Sequence, residues 1–280
     1  MSRRRQKKRS QRDELRRRKG GGLRKAAAVL LGVALVCTAL AAGLLFSGLI
    51  GGDSGPRRAA IVDQLSLTQP NPDFAESATN LLEQAGYTVD YFPGEEVTVE
   101  LYRNLPTHGY GLIVLRVHSG LTREVSEEGA TPREYVSLFT GEAYNDTKYP
   151  DETFVAPGEP VARLGSAVYY KGAPPLFGIA PGFIKESMKG KFDDTTVILM
   201  GCDGLKSHDT GQAFLDRGAG AFVSWTQAVT ASHSDAATLR LLEKLVSEGL
   251  PLADAVAQTA AEVGPDPLYG AELRMLPEGG

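Results

Sequence analysis

The sequence predicts a mixed α/β domain, in which a mostly parallel β-sheet has helices on both faces, preceded by one transmembrane helix. Short apolar segments rich in β-branched residues alternate with segments of helical periodicity, which is typical of a parallel sheet. The apolar segments are nearly continuous, as in strands that are buried on both faces. The transmembrane helix is predicted by residues 26–50, which contain no charged side chain.

The uncharged segment is long enough to cross a bilayer. As a helix, its 25 residues would rise about 37 Å, against about 30 Å for the hydrocarbon core. Residues 1–25 carry thirteen Lys or Arg and two acidic residues, a net charge of +11. By the positive-inside rule this basic tail is cytoplasmic, and the protein is a single-pass cell-membrane protein with its C-terminal domain outside.

A cleaved signal peptide is the alternative interpretation of this segment. Residues 39–41, Ala-Leu-Ala, resemble a cleavage site, and cleavage there would give a secreted protein. The basic region is long for a signal peptide, and the apolar run continues beyond residue 41. The sequence therefore favours a signal anchor that stays attached and contacts the lipid bilayer.

The chain beyond the basic tail is strongly acidic. It carries 17 basic and 32 acidic residues, a net charge of −15, and divides into a linker at 51–57 and a domain at 58–280. The acidic outer domain could bind basic partners. We expect no nucleic-acid partner, because the one strongly basic segment is fixed beside a membrane. The basic tail lies beside a membrane and most simply attracts anionic lipid.

The domain begins with alternating strands and helices. Helical spacing of apolar residues, with Gly86 as a stop signal, defines the first helix. Segment 121–194 is rich in turn residues, and we expect an insertion of hairpin-like strands followed by a short helix near 181–190. Pro251 suits the first turn of the last helix. The predicted strands outside the insertion are 58–65, 87–92, 111–120, 195–202, 219–226 and 271–276. The predicted helices are 71–86, 209–218, 234–249 and 251–264, and residues 98–110 are predicted to form a short helix and a loop.

Two of these strands end in reactive side chains, His118 and Cys202. Sites in open α/β sheets form beyond the carboxyl ends of strands, so the imidazole and the thiol share a crevice if the two strands are neighbours. Gly201 would let the chain turn close to the sheet and present the thiol. A thiolate is a nucleophile, and a nearby imidazole helps to form it. The other cysteine, Cys37, lies in the apolar span, so Cys202 has no disulfide partner in the outer domain, which is unusual for an extracytoplasmic protein.

The segments IVLRVHSG and TVILMGCDGL resemble the histidine and cysteine segments of caspase-like cysteine peptidases, the group of caspases, metacaspases, gingipains and separase-related domains. In that family a histidine follows one core strand and a cysteine follows the next. The stretch GQAFLDRGAGAFVSWTQAV is similar to the helix and strand that follow the cysteine, with gingipain-like members nearest. The resemblance covers most of residues 58–265 and implies a caspase-like three-layer sandwich.

The resemblance also implies a role for each residue of the two motifs. Cys202 would be the nucleophile, and His118 the general base or the partner of the thiolate. Backbone N–H groups near Ser119, Gly120 and Cys202 would stabilise the oxyanion. The family often has His-Gly where this chain has His-Ser-Gly, which leaves open which N–H joins that of Cys202. The protein would then be a membrane-anchored cysteine endopeptidase acting on peptide or protein substrates, with no cofactor and no metal.

Two further residues are candidates for substrate contact. Asp203 follows the nucleophile within an acidic domain, which favours Arg or Lys before the cleaved bond. Trp225, the sole tryptophan, ends a strand on the same side of the sheet. It either lines a substrate pocket or packs in the core.

Other cysteine chemistries fit the sequence less well. A thiol-bearing α/β-hydrolase would have G-x-C-x-G, but the glycines stand at 201 and 204. A cysteine-dependent phosphatase would have an arginine where this chain has His208. A metal site formed by Cys202, His208 and Asp209 lacks the paired spacing of zinc motifs. A catalytically silent caspase-like binding domain, displayed on the membrane, is the alternative from a different functional class.

Overall fold

The computed structural model describes residues 57–124, 133–153 and 163–278. The described residues belong to one compact unit, Pro56–Gly280. The predicted basic tail and transmembrane helix, and all but the last residue of the predicted linker, lie outside the described residues. Within the described residues, no helix combines the length and the apolar character that crossing a membrane requires.

The described residues form ten strands in two sheets. The central sheet has the strand order β2-β1-β3-β8-β9-β10; its first five strands are parallel, and β10 pairs antiparallel with β9. The prediction of a mixed α/β fold with a largely parallel sheet is therefore confirmed. The strands are β1 Arg57–Asp63, β2 Tyr87–Pro93, β3 Tyr110–Arg116, β4 Ser119–Glu124, β5 Arg133–Ala143, β6 Leu164–Ala167, β7 Leu176–Ile179, β8 Thr195–Leu199, β9 Ala219–Trp225 and β10 Leu273–Leu276.

Helices cover both faces of the central sheet. Ile113 and Leu115 of β3 point into one core cluster with α2, α4 and α5, whereas Leu112 and Val114 point into another with α1, α6 and α7. Successive side chains of a strand face opposite sides, so a strand buried on both faces reads as a continuous apolar run. The helices are α1 Pro72–Gln84, α2 Val99–Asn104, α3 Pro150–Thr153, α4 Pro181–Glu186, α5 Asp209–Asp216, α6 Ala231–Leu242 and α7 Leu252–Val263.

The insertion between β3 and β8 forms a second, antiparallel sheet in the order β4-β5-β7-β6. Leu138, Leu164, Phe177 and Ile179 of this sheet pack into the core cluster that also contains α2, α4 and α5. The sequence predicts hairpin-like strands here and places Ser119 and Gly120 at the end of the preceding strand. In the structure β3 ends at Arg116, and both residues belong to β4 because they pair with β5.

The start of α6 differs from the sequence prediction, which begins this helix at residue 234. The structure places Thr230 at the N-cap position, and its N–H and hydroxyl both donate to a carboxylate oxygen of Asp266, at 3.0 and 2.7 Å. Ser234 and Asp235 consequently lie inside the helix, where both are buried. The long-range contact with Asp266 carries no local sequence signal.

Candidate active site

The strands that lead to His118 and Cys202 are neighbours. β3 and β8 pair in parallel from Leu112↔Thr196 to Leu115↔Leu199, and the Met200 N–H extends the pairing to the Leu115 carbonyl at 2.9 Å. His118 and Cys202 each lie three positions beyond the last pair. Both residues therefore follow the carboxyl edge of the sheet, the edge where β1, β3, β8 and β9 end.

A direct hydrogen bond joins the two motifs at this edge. The Ser119 hydroxyl donates to the backbone carbonyl of Cys202 at 2.6 Å. Gly201 permits this approach, because a Cβ atom there would lie 2.2 Å from the Ser119 Oγ and 2.5 Å from the Val117 carbonyl oxygen. The sequence predicts that Gly201 brings the chain close to the sheet, and the structure adds Ser119 as the side chain that it approaches.

The Cys202 thiol faces Val229, in the loop after β9. Its Sγ lies 3.5 Å from the Val229 N–H nitrogen and 3.6 Å from the Val229 carbonyl oxygen. The side chain packs against the core cluster of α1, α6 and α7. Burial raises the pKa of the Cys202 thiol, and the carboxylates of Asp203 and Asp266 act in the same direction, whereas the Val229 N–H opposes them. In this arrangement Cys202 is a protonated thiol at neutral pH.

The His118 imidazole faces a different set of residues. Its Nε2 lies 2.9 Å from the Thr68 hydroxyl, and its ring packs 4.6 Å from the ring of Tyr169 and 5.9 Å from that of Phe139. Burial lowers the pKa of His118 to about 4, with a further contribution from the positive charge of Arg116. The ring is therefore neutral at physiological pH. Among the hydrogen bonds between described residues, that of the imidazole is made by Nε2.

The structure thus brings the two motifs together without bringing the two side chains into contact. The imidazole lies toward the end of β1 and the second sheet, and the thiol lies toward the loop after β9. Catalytic hydrogen bonds are often long or misaligned before substrate binds, so this geometry by itself does not exclude the pair.

Arg116 forms a buried ionic cluster behind His118 that the sequence does not predict. Its guanidinium is 1% exposed and bonds Asp63 at 2.7 Å, Asp235 at 2.8 Å and the Gln69 carbonyl at 2.9 Å. These contacts join the ends of β1 and β3 to α6. The sequence does show a charged residue at the end of each of two apolar strands, in the segments IVLR and AIVD, and this pattern could have indicated an ion pair between the strand ends.

The two predicted substrate-contacting residues have other partners. Asp203 has a left-handed backbone with φ of 60°, and one of its carboxylate oxygens lies 3.4 Å from the Lys206 ammonium, within the same loop. Trp225 is 1% exposed, and its indole N–H donates to the Ser234 hydroxyl at 2.9 Å. Of the two placements that the sequence allowed for Trp225, the structure shows core packing.

The remaining candidate features are a metal site and a groove for a larger ligand. In the described ranges, no group of three or more His, Cys, Asp or Glu side chains is arranged to hold a metal ion. A groove of about 830 Å³ lies away from His118 and Cys202, between the alanine-rich side of α7 and the edge strand β10. Neither His118 nor Cys202 lines this groove.

Comparison with known proteins adds no family assignment. No protein-family model matches the chain. No curated protein matches it at a significant level either. The caspase-like resemblance therefore rests on the two strand-end motifs, and any function has to be argued from the geometry around His118 and Cys202.

Proposed function

We propose that this protein is a caspase-like cysteine endopeptidase on the outer face of the membrane, anchored by residues 26–50. Cys202 is the nucleophile and His118 its base. The observation that carries the proposal is the parallel pairing of β3 with β8, because both residues then follow the same edge of one sheet. The family resemblance calls for a histidine after one core strand and a cysteine after the next, and the Ser119–Cys202 hydrogen bond joins those two segments.

The chemistry requires the neutral imidazole to take the thiol proton as the sulfur attacks the scissile carbonyl carbon. Backbone N–H groups near Ser119, Gly120 and Cys202 stabilise the oxyanion, and the amine leaves with the proton that His118 holds. Water then hydrolyses the acyl-enzyme and restores the thiol. The low pKa of His118 and the raised pKa of Cys202 favour a neutral pair at rest. Before attack, Sγ must leave Val229 and turn toward the imidazole.

A catalytically silent binding domain of the same fold is the second candidate. The observation that favours it is the packing of Cys202 against Val229, because burial raises the pKa of the thiol and lowers its nucleophilicity at neutral pH. A reactive-cysteine experiment separates the two candidates, since a catalytic thiol reacts in a way that depends on His118.

The experiment uses the full chain in detergent, in a Cys37→Ala background where Cys202 is the only thiol. We measure the rate of iodoacetamide alkylation between pH 6 and 9, and the cleavage of a peptide library. His118→Ala should slow alkylation at neutral pH and abolish cleavage. His208→Ala is the matched control, because His208 is exposed in the loop after Cys202. A lack of cleavage, together with alkylation that is the same with and without His118, would favour the binding domain.

Cleavage specificity and topology have separate tests. The acidic domain and Asp203 lead us to expect Arg or Lys before the cleaved bond, and a preference for Asp in the same library would refute this.

Protease added to intact cells should digest the domain that follows residue 50. Protection of the domain until the membrane is breached would reverse the orientation, and a mature N-terminus near residue 42 would replace the anchor with secretion.

A further inference from the structure

We infer that Tyr169 is a positioning residue for His118, supplied by the insertion that separates the two strand-end motifs. The inference rests on the proposed function in so far as His118 acts as a base. Tyr169 lies in the connection between β6 and β7, 51 positions after His118 in the chain. Neither the strand-end motifs nor the family resemblance assigns it a role.

The first observation is a cluster of three aromatic rings. The Tyr169 ring lies 4.6 Å from the His118 ring and stacks 5.5 Å from the Phe139 ring, which itself lies 5.9 Å from His118. The three residues come from the end of β3, from β5 and from the β6–β7 connection. Rings at these separations restrict one another's rotation and favour a limited set of orientations. The imidazole plane is therefore set in part by the second sheet.

The second observation is that Gln64 connects Tyr169 to the backbone of His118. Its Oε1 accepts the His118 N–H at 3.0 Å, and its Nε2 bonds the Tyr169 hydroxyl at 2.6 Å. A backbone N–H can only donate, so the amide oxygen has to face His118 and the amide nitrogen has to face the tyrosine. Gln64 is fully buried, which holds both bonds in place.

The third observation is the exposure of the neighbouring residues. Val168 is 47% exposed and Tyr170 is 68% exposed, whereas Tyr169 between them is half-buried against His118. In a connection whose flanking side chains face solvent, the one that turns inward contacts the histidine. Tyr169 therefore covers part of the imidazole.

The consequence concerns both the orientation and the charge of the ring. The Thr68 hydroxyl engages Nε2 while the Tyr169 ring packs against the imidazole, and both contacts limit how the imidazole can turn. The charged group that acts on the ring is Arg116 of β3, which is balanced by Asp63 of β1 and Asp235 of α6. The Tyr169 hydroxyl is the other titratable group against the ring. Removal of the tyrosine ring would hydrate the imidazole and free its rotation.

The test follows the titration of His118 by NMR in the full chain labelled at histidine. The chain has four histidines, and loss of a signal in His118→Ala assigns the one required. Tyr169→Ala should raise the pKa of His118 from about 4 toward the ordinary value of about 6.5, an increase of at least tenfold in proton affinity. Tyr169→Phe keeps the ring and removes the Gln64 bond, and should cause a smaller increase. Tyr170→Ala is the matched control and should leave the titration unchanged.

Peptide cleavage provides the second readout. Tyr169→Ala should lower kcat about tenfold or more with KM within about twofold, because a misoriented base affects the chemical step. Tyr169→Phe should recover most of kcat. An unchanged His118 titration in Tyr169→Ala overturns the inference. If the wild-type chain cleaves no peptide but Tyr169→Ala still raises the pKa, the proposed function fails while the positioning of His118 by Tyr169 stands.

Discussion

The surroundings of His118 and of Cys202 are built in opposite ways, although the two residues follow adjacent strands. His118 is held by polar and aromatic groups from three separate parts of the chain, through Gln64 and Thr68 after β1, Phe139 of β5 and Tyr169 of the β6–β7 connection. The Cys202 side chain has a single backbone partner, Val229, and otherwise packs on apolar residues. If His118 and Cys202 act as proposed, the well-fixed imidazole and the packed thiol imply that activation moves the cysteine loop rather than the histidine.

The largest effect that tests this comparison is on turnover. Cys202→Ala should abolish peptide cleavage and leave the fold intact, since a small residue replaces a small one at a strand end. The double variant Cys202→Ala/His118→Ala should be about as inactive as either single variant, because the nucleophile and its base act as a unit. Cleavage rates and circular dichroism measure both expectations. Cleavage that survives in His118→Ala but not in Cys202→Ala would mean that the two residues do not act as a unit.

The next largest effect is on stability, at the cluster behind His118. Arg116→Met should lower the free energy of unfolding by about 3–5 kcal/mol, because it leaves the carboxylates of Asp63 and Asp235 buried without their cation. Urea denaturation measures it. Arg123→Met is the control, since the Arg123–Glu134 pair is exposed and should be worth about 0–1 kcal/mol. A loss at Arg116 no larger than that at Arg123 would show that the cluster contributes little.

These contacts mark the limit of what the sequence can predict. The strands and helices of the central sheet follow from local periodicity, and the common edge of His118 and Cys202 follows from parallel pairing. The Arg116 bonds span 53 and 119 positions of the chain, and periodicity carries no record of which distant side chain completes an ion pair. Trp225 illustrates another limit. Its position at the end of a predicted strand identifies the edge of the sheet near which it lies. The sequence does not fix the face of the sheet, because a shift of one residue in the strand moves a side chain to the other face.

A smaller effect tests how closely the two motifs approach each other. Gly201→Ala should cost about 1–3 kcal/mol of unfolding free energy, since its Cβ would overlap both the Ser119 hydroxyl and the Val117 carbonyl. Gly120→Ala is the control, because a Cβ there meets no atom within 4 Å. Adding Ser119→Ala should recover part of the loss but not all of it, since the backbone carbonyl of Val117 remains. Equal stability of Gly201→Ala and Gly120→Ala would mean that the cysteine segment moves away from β3 at little cost.

The smallest effect distinguishes the histidine side by its response to pH. The pKa of His118 is about 4 in the folded chain, below the value of about 6.5 that an unfolded chain has. Between those values the unfolded chain binds the extra proton, so His118 favours folding fully above pH 6.5 and progressively less as the pH falls toward 4. Partial solvent exposure of the ring reduces the size of the effect.

His118→Gln should therefore show a shallower loss of unfolding free energy than the wild-type chain between pH 6.5 and pH 4, measured by urea denaturation at each pH. Cys202→Ala is the matched control and should keep the wild-type slope, because the pKa of the thiol is raised and the thiol stays protonated throughout this range. Parallel curves for His118→Gln and the wild-type chain would show that the imidazole is as hydrated in the folded chain as in the unfolded one. The surroundings of His118 and of Cys202 would then differ in their contacts, but His118 would have an ordinary pKa.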